Sequence, residues 1–217
     1  MKQRVLLKGK DGLDLLHRIS TIDLKQRKLL PKTQGLILNP QGKIRAAFSI
    51  TILDDETAEI EFEDAFLEAL DQYTFGERYE ITKLPSAVSE TSSERDRILA
   101  LLPKPGAEFK SNEETNPLEV NLRSAIHDQK GCYPGQEVVE KIISLGSPAK
   151  KLCLLEGILS DVTCPVPLTS SQGTDAGTLT SYSDGFGLGI IKRTFLKENE
   201  VLFMGTQKLI LRKISEI

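Results

Sequence analysis

Gly35-Leu36-Ile37-Leu38-Asn39-Pro40-Gln41-Gly42-Lys43-Ile44 reads as a strand, a reversal and the start of a second strand. Apolar residues after a glycine suit an extended chain, and Asn-Pro-Gln-Gly supplies the residue types that favour a tight turn. Lys43 to Leu53 continues in Ile, Phe and Thr, Asp54-Asp55-Glu56 turns again, and Thr57 to Phe62 alternates apolar with acidic at the period of a half-buried strand. Antiparallel hairpins are the expected result.

Working outward, Leu13, Leu16 and Ile19 recur at helical spacing, so a helix is expected over Gly12 to Ile19 with Asp11 as its cap. Lys25, Arg27, Lys28 and Lys32 form a basic cluster before the strand, read as a solvated face. Downstream, Asp64 is expected to cap a helix that places Phe66, Leu67, Leu70 and Tyr73 on one face, and Arg78 to Leu84 returns to strand character. Helices and an antiparallel sheet make the fold class α+β.

Pro85 to Ser93 is Ser/Thr-rich and aperiodic, hence a loop. A short helix is expected over Glu94 to Leu102, stopped by Pro103-Lys104-Pro105-Gly106, and another over Glu119 to Ile126. From Lys150, β-prone runs at Leu152 to Leu155, Gly177 to Tyr182, Gly187 to Ile191 and Leu209 to Lys213 are separated by Gly, Pro and Asp, the pattern of a small all-β unit. A boundary near Ser147-Pro148 divides the 217 residues into a body, 1–146, and a carboxy-terminal unit, 147–217.

Bulk composition narrows the function classes. Hydrophobic residues make up 39% and charged residues 27%, which fits a globular protein. The formal charge of -3 argues against a general nucleic-acid coat. The apolar run from Ala46 to Leu53 falls short of the roughly 18 residues a membrane helix needs, and Met1 to Lys8 does not read as a signal peptide. The three cysteines, an odd number, include no Cys-x-x-Cys pair, which argues against a disulfide framework or a zinc ribbon and fits a reducing, cytoplasmic setting. No heptad pattern appears, so a monomer is expected.

The segment that bears chemistry is Lys130-Gly131-Cys132-Tyr133-Pro134-Gly135-Gln136-Glu137. Pro134-Gly135 breaks regular structure and Gln136 to Ile143 resumes as a helix, so Cys132 is expected near a helix amino terminus with an ammonium two residues away. Both features favour a thiolate. The alternative is a small hydrophobe in a Gly/Pro turn, the commoner use of a free cysteine. His127 is either a base or a loop histidine, and neither of the two histidines has partners at metal-ligand spacing. Cys153, among leucines, and Cys164, before Pro165, read as structural.

Lys-Gly-Cys-Tyr-x-Gly-Gln-Glu resembles the signature of the YgfZ family of folate-binding proteins, GcvT-like relatives of the glycine-cleavage T-protein. Asp14 to Asp23 is similar to that family's opening helix and turn, and Leu38 to Ile44 to its following hairpin. Gly177 to Ser181 and Gly187 to Ile190 resemble its carboxy-terminal β-barrel. The resemblance implies an α+β body around a folate pocket followed by that barrel. It implies a role in keeping iron-sulfur enzymes active, with tRNA modification affected as a consequence, and tetrahydrofolate as the cofactor. Iron-sulfur client or assembly proteins would be the partners, without direct nucleic-acid or membrane binding. Carried over, Cys132 and Lys130 are the functional pair, with Cys132 a nucleophile, a redox group or a transient cluster ligand. Gly131, Tyr133, Gly135, Gln136 and Glu137 shape the site, and Glu119, in Asn116-Pro117-Leu118-Glu119, either lines the pocket or caps a helix.

Two departures bear on the activity implied. Leu99, in Arg97-Ile98-Leu99-Ala100-Leu101-Leu102-Pro103, stands where the family has a glutamate that accepts hydrogen bonds from the pterin. Leucine offers no acceptor, which costs about 1 to 3 kcal/mol for each buried donor left unmet. Ala46 and Ala47 stand where the T-protein has an Asp-Asp pair, so folate-dependent aminomethyl transfer is the second hypothesis and a binding module without chemistry the third.

Overall fold

The computed structural model describes residues 2–25, 31–63, 65–86, 93–111 and 114–216. Asp64, Arg27, Lys28 and most of the loop expected over Pro85 to Ser93 therefore lie outside the described residues. The chain packs as two compact units: one of Met1–Glu90, Ser111–Glu114 and Ser124–Val139, the other of Thr91–Lys110, Thr115–Arg123 and Glu140–Ile217.

The first unit is a five-stranded antiparallel sheet with helices. Strands β1 (Gln3–Lys8), β2 (Thr33–Leu38), β3 (Ile44–Ile52), β4 (Thr57–Phe62) and β5 (Glu80–Leu84) lie in the order β2-β3-β4-β1-β5. The hairpins β2–β3 and β3–β4 stand where the turn residues place them. Asn39 Oδ1 accepts from the amides of Gln41 and Lys43, and Gly42 takes the positive φ of 69° that the reversal requires. Alternation then decides which side chains enter the core. Ile44, Ala46, Phe48 and Ile50 are buried, whereas Arg45, Ala47, Ser49 and Thr51 occupy the other face.

Helices α1 (Lys10–Ile19) and α2 (Phe66–Asp71) supply the apolar partners of that face. Leu13, Leu16 and Ile19 of α1 join Val5, Leu7 and Ile60 in one cluster, and the Phe66 ring lies 5.0 Å from both Phe48 and Phe62. Two local expectations need correction. β1 is not among the strands expected from the sequence, yet it is an interior strand whose Val5 and Leu7 are buried in alternation. Asp11 does not cap α1: the helix starts two residues earlier, at Lys10, Gly9 is the cap residue with no side-chain bond, and Asp11 Oδ2 accepts from the Arg78 amide instead.

The second unit is a closed barrel. Strands β6 (Lys150–Glu156), β7 (Val166–Thr169), β8 (Asp175–Ser183), β9 (Phe186–Lys192), β10 (Val201–Met204) and β11 (Gln207–Ile214) close in the order β10-β11-β6-β9-β8-β7. β7 and β10 are the strands that composition does not reveal, because each spans only four residues. Cys153 and Leu155 of β6 point into the barrel with Leu168, Leu179 and Leu209. Leu152 and Leu154, on the opposite face, join Ile98 and Leu101. Helix α3 (Glu94–Leu99) covers that face, which is why β6 is apolar throughout instead of alternating.

Ser93 caps α3 by accepting from the Asp96 amide, and Leu101 ends it at φ 50°. The helix expected over Glu119 to Ile126 is instead two 3₁₀ turns, Pro117–Glu119 and Arg123–Ala125. Asn121 separates them at φ 61° and donates its side-chain amide to the Leu101 carbonyl. Helix α4 (Gln136–Ser144) follows the signature as expected, and no described helix is long and apolar enough to cross a membrane.

Candidate thiol–amine site

Two stretches almost a hundred residues apart in sequence meet at the signature. A Cβ placed on Gly135 would lie 2.4 Å from the Asn39 carbonyl oxygen and 2.8 Å from Gly42 Cα, and one on Gly42 would lie 3.0 Å from Val138 Cβ. Gly135 also holds φ at 80°. The Asn39–Gly42 turn and the Pro134-Gly135 turn are thus in backbone contact, and only a residue without a side chain fits between them. Gly131 is a second left-handed glycine, at φ 90°, but faces open space. α4 begins directly after this contact, with the Gln136 amide donating to Tyr133 O and that of Val139 to Gly135 O.

Within the turn, Lys130 and Cys132 are treated oppositely. Cys132 is exposed. Lys130 is only 3% exposed, and its Nζ donates one long hydrogen bond, 3.4 Å, to the Cys132 carbonyl and sits 5.3 Å from the centre of the Tyr133 ring. Burial is the main reason the Lys130 amine is pushed down to about 8, with Lys25 adding to it; Asp23 and Cys132 act in the other direction. The amine is therefore poised near neutrality beside an accessible thiol.

The Ser20–Lys25 segment that brings Asp23 here is held by both histidines. The Leu24 amide donates to His17 Nδ1 and the Asp23 amide to His127 Nδ1, each at 3.1 Å. Because Nδ1 accepts in both rings, both carry their proton on Nε2. His17 Nδ1 also lies 3.5 Å from Asp23 Oδ1. Buried Thr21 completes the clamp, donating its hydroxyl to Ala125 O and accepting from the Leu36 amide. His127 is thus a positioning group for the loop, the loop-histidine use of its side chain. Sequence reasoning left Thr21, His17 and Asp23 without individual roles, since only the tertiary fold brings them beside the signature.

The remaining candidates divide. Tyr133 is buried under Lys130, Gln136 is half-buried at the start of α4, and Glu137 is exposed. Glu119 belongs to the second unit, where its carboxylate accepts from the Asn116 amide while Asn116 Oδ1 accepts from Leu118 N, a capping box. Leu99 is half-buried against Ile98, Leu152 and Leu188. Ala46 is wholly buried among apolar side chains, a position where an ionised carboxylate would be costly. Lys32 of the basic cluster is paired with Glu61 at 2.7 Å. Cys153 is buried, which pushes its thiol up to about 12, and burial followed by the charge of Glu108 also raises Cys164. Both read as structural, as their sequence contexts imply.

Comparison with known proteins agrees with the architecture. No family model matches the chain. Over 96 residues it is 35% identical to an Arabidopsis thaliana protein named "putative transferase, chloroplastic"; the match covers 42% of this chain and 22% of that protein, so the chain corresponds to a minor part of its length. The crystal structure of the glycine cleavage system aminomethyltransferase T from Bartonella henselae superposes with a TM-score of 0.78, covering 98% of this chain and 83% of that one at 13% identity. An α+β body followed by a closed six-stranded barrel is the fold that this chain shares with that aminomethyltransferase.

Proposed function

We propose that this chain maintains iron-sulfur enzymes through nucleophilic chemistry at Cys132, supported by the Lys130 amine, on an aminomethyltransferase T-like fold. The observation that carries this reading is the pairing of an exposed thiol with a buried, sparsely bonded amine on a turn fixed by the Gly135–Asn39 contact. The likeness of Lys130 to Glu137 to the YgfZ signature supplies the physiological class. Iron-sulfur client or assembly proteins are the partners it implies, and loss of tRNA modification would follow from loss of client activity.

Expression in a strain lacking its own protein of this class tests the reading. The wild type should restore iron-sulfur enzyme activity and Cys132→Ala should not; equal rescue by both would refute a role for the thiol. Cys132 is exposed, so the substitution leaves the core untouched.

The second reading is a folate-dependent one-carbon transferase, favoured by the shared fold and by the relative named a transferase. Residue 99 does not fit the pterin role, since leucine carries no acceptor and packs into an apolar cluster. Isothermal calorimetry of tetrahydrofolate on the wild type and on Leu99→Glu, with folding of the variant checked by circular dichroism, separates the cases. Micromolar binding by the wild type, about -8 kcal/mol, would mean that another group reads the pterin. Binding gained only in Leu99→Glu would mean a family pocket that has lost its ligand.

A further inference from the structure

We propose that Lys130 and Cys132 together capture a one-carbon aldehyde, closing a methylene bridge between the lysine nitrogen and the cysteine sulfur. This rests on the reading of the pair as a nucleophilic site and names the substrate class it takes.

Geometry carries the argument. A lysine that is 3% exposed ordinarily spends its three N–H donors on carboxylates or carbonyls, yet among the described residues Lys130 Nζ has a single 3.4 Å bond, to the backbone of Cys132. An amine left short of partners, whose one hydrogen bond goes to the backbone of an exposed cysteine, is arranged for an electrophile that both residues can reach. The Tyr133 ring closes one side of the amine. Access is from the side of exposed Cys132, and an amine on a residue only 3% exposed, with a ring against it, leaves room for a small carbonyl compound. Anionic carbonyl compounds would have to accompany the amine into a site that already disfavours charge, and are excluded on the same ground. The lowered proton affinity of Lys130 adds to this by leaving part of the amine unprotonated at neutral pH.

The steps balance without a redox partner. The neutral Lys130 amine adds to the aldehyde carbon, forming the N–C bond, and the carbonyl electron pair moves to oxygen, which takes a proton. Nitrogen gives up one proton, oxygen takes a second from solvent, and the C–O bond breaks with oxygen leaving as water, giving an iminium. Cys132 sulfur, having released its proton to solvent, adds to the iminium carbon, and the C=N electron pair returns to nitrogen. Amine, thiol and formaldehyde become the bridged product and one water.

The full chain treated with one equivalent of ¹³C-formaldehyde near pH 8 tests the proposal, read by intact mass, ¹³C NMR and peptide mapping. The wild type should gain one carbon in the form N–CH₂–S, in the peptide spanning Lys130 and Cys132, whereas butyraldehyde should give no bridge. Cys132→Ser should lose the bridge and, after borohydride, retain the carbon as a methyl on Lys130. Lys130→Arg should lose the signal altogether, and because it alters a buried position, Cys132→Ser serves as the independent variant. A wild type that carries the carbon at other lysines, or that forms no bridge, overturns the inference. The outcome is separable from the rescue experiment. Rescue that needs Cys132 without capture leaves the proposed function standing and removes the aldehyde; capture without a rescue defect does the reverse.

Discussion

Arg97 Nη1 donates to Glu108 Oε2 across 2.9 Å, and the Glu108 side chain has no solvent exposure at all. The Lys104 amide donates to the same oxygen, while the hydroxyls of Ser181 and Thr180 lie 2.6 Å and 2.8 Å from the other. Arg97 Nη2 reaches Ser181 Oγ as well. The segment after α3 is thereby tied to β8 through a carboxylate whose acceptor sites are all occupied. Such a pair adds little beyond an apolar replacement, but breaking it leaves a buried charge unmet.

Glu108→Ala should therefore destabilise the protein by about 3 to 5 kcal/mol, since it removes the buried acceptor shared by Arg97, the Lys104 amide and the Thr180 and Ser181 hydroxyls. Glu94→Ala removes the other carboxylate on Arg97, but Glu94 is 45% exposed, so that loss should stay below about 1 kcal/mol. Urea denaturation of both variants checks the contrast. Equal effects would mean that the buried carboxylate does not hold this segment.

Gly135→Ala should cost about 2 to 3 kcal/mol, combining a left-handed backbone with the 2.4 Å approach to the Asn39 carbonyl. Gly131→Ala, with a similar φ but open space around it, should cost only the backbone share, about 1 kcal/mol. Thermal melts of the two variants measure the difference, which is the contribution of the contact between the two turns.

Lys130 predicts a pH dependence of stability. Its folded pKa of about 8 lies below the lysine value of 10.5, so between those limits the unfolded chain binds more protons than the folded one. Stability contributed by this residue rises as pH increases from about 8 to 10.5, and the full penalty for burying the ammonium applies below that window. The rise should be of the order of 2 kcal/mol. Denaturant midpoints across the window check it: Lys130→Met should flatten the profile, and an unchanged slope would assign it to other groups.

Thiol labelling should follow exposure. Iodoacetamide should modify Cys132 in the native protein and Cys164 more slowly. It should reach Cys153, fully buried with its thiol pushed up to about 12, only after unfolding. Peptide mapping over time gives the order, and early labelling of Cys153 would contradict the closed barrel core.

By itself the sequence determined the elements whose signals are local. The turn residues Asn39 to Gly42, the alternation in Thr57 to Phe62 and the helical spacing of Leu13, Leu16 and Ile19 each act over a few residues, and each produces the expected structure. The run Lys130 to Glu137 marks the site for the same reason: it is contiguous. Only the tertiary structure decided the rest. β1 becomes an interior strand because β4 and β5 pair on either side of it. Asn121 breaks an otherwise helical stretch by reaching the Leu101 carbonyl, and Asp11 answers the Arg78 amide instead of capping its own helix. Burial turns Lys130 from a surface cation into a sparsely bonded amine, and the Thr180 and Ser181 hydroxyls, more than seventy residues away, join Arg97 and the Lys104 amide in turning Glu108 into an internal anchor. Desolvation and long-range hydrogen bonding depend on which surfaces meet, and no local pattern of residues encodes that.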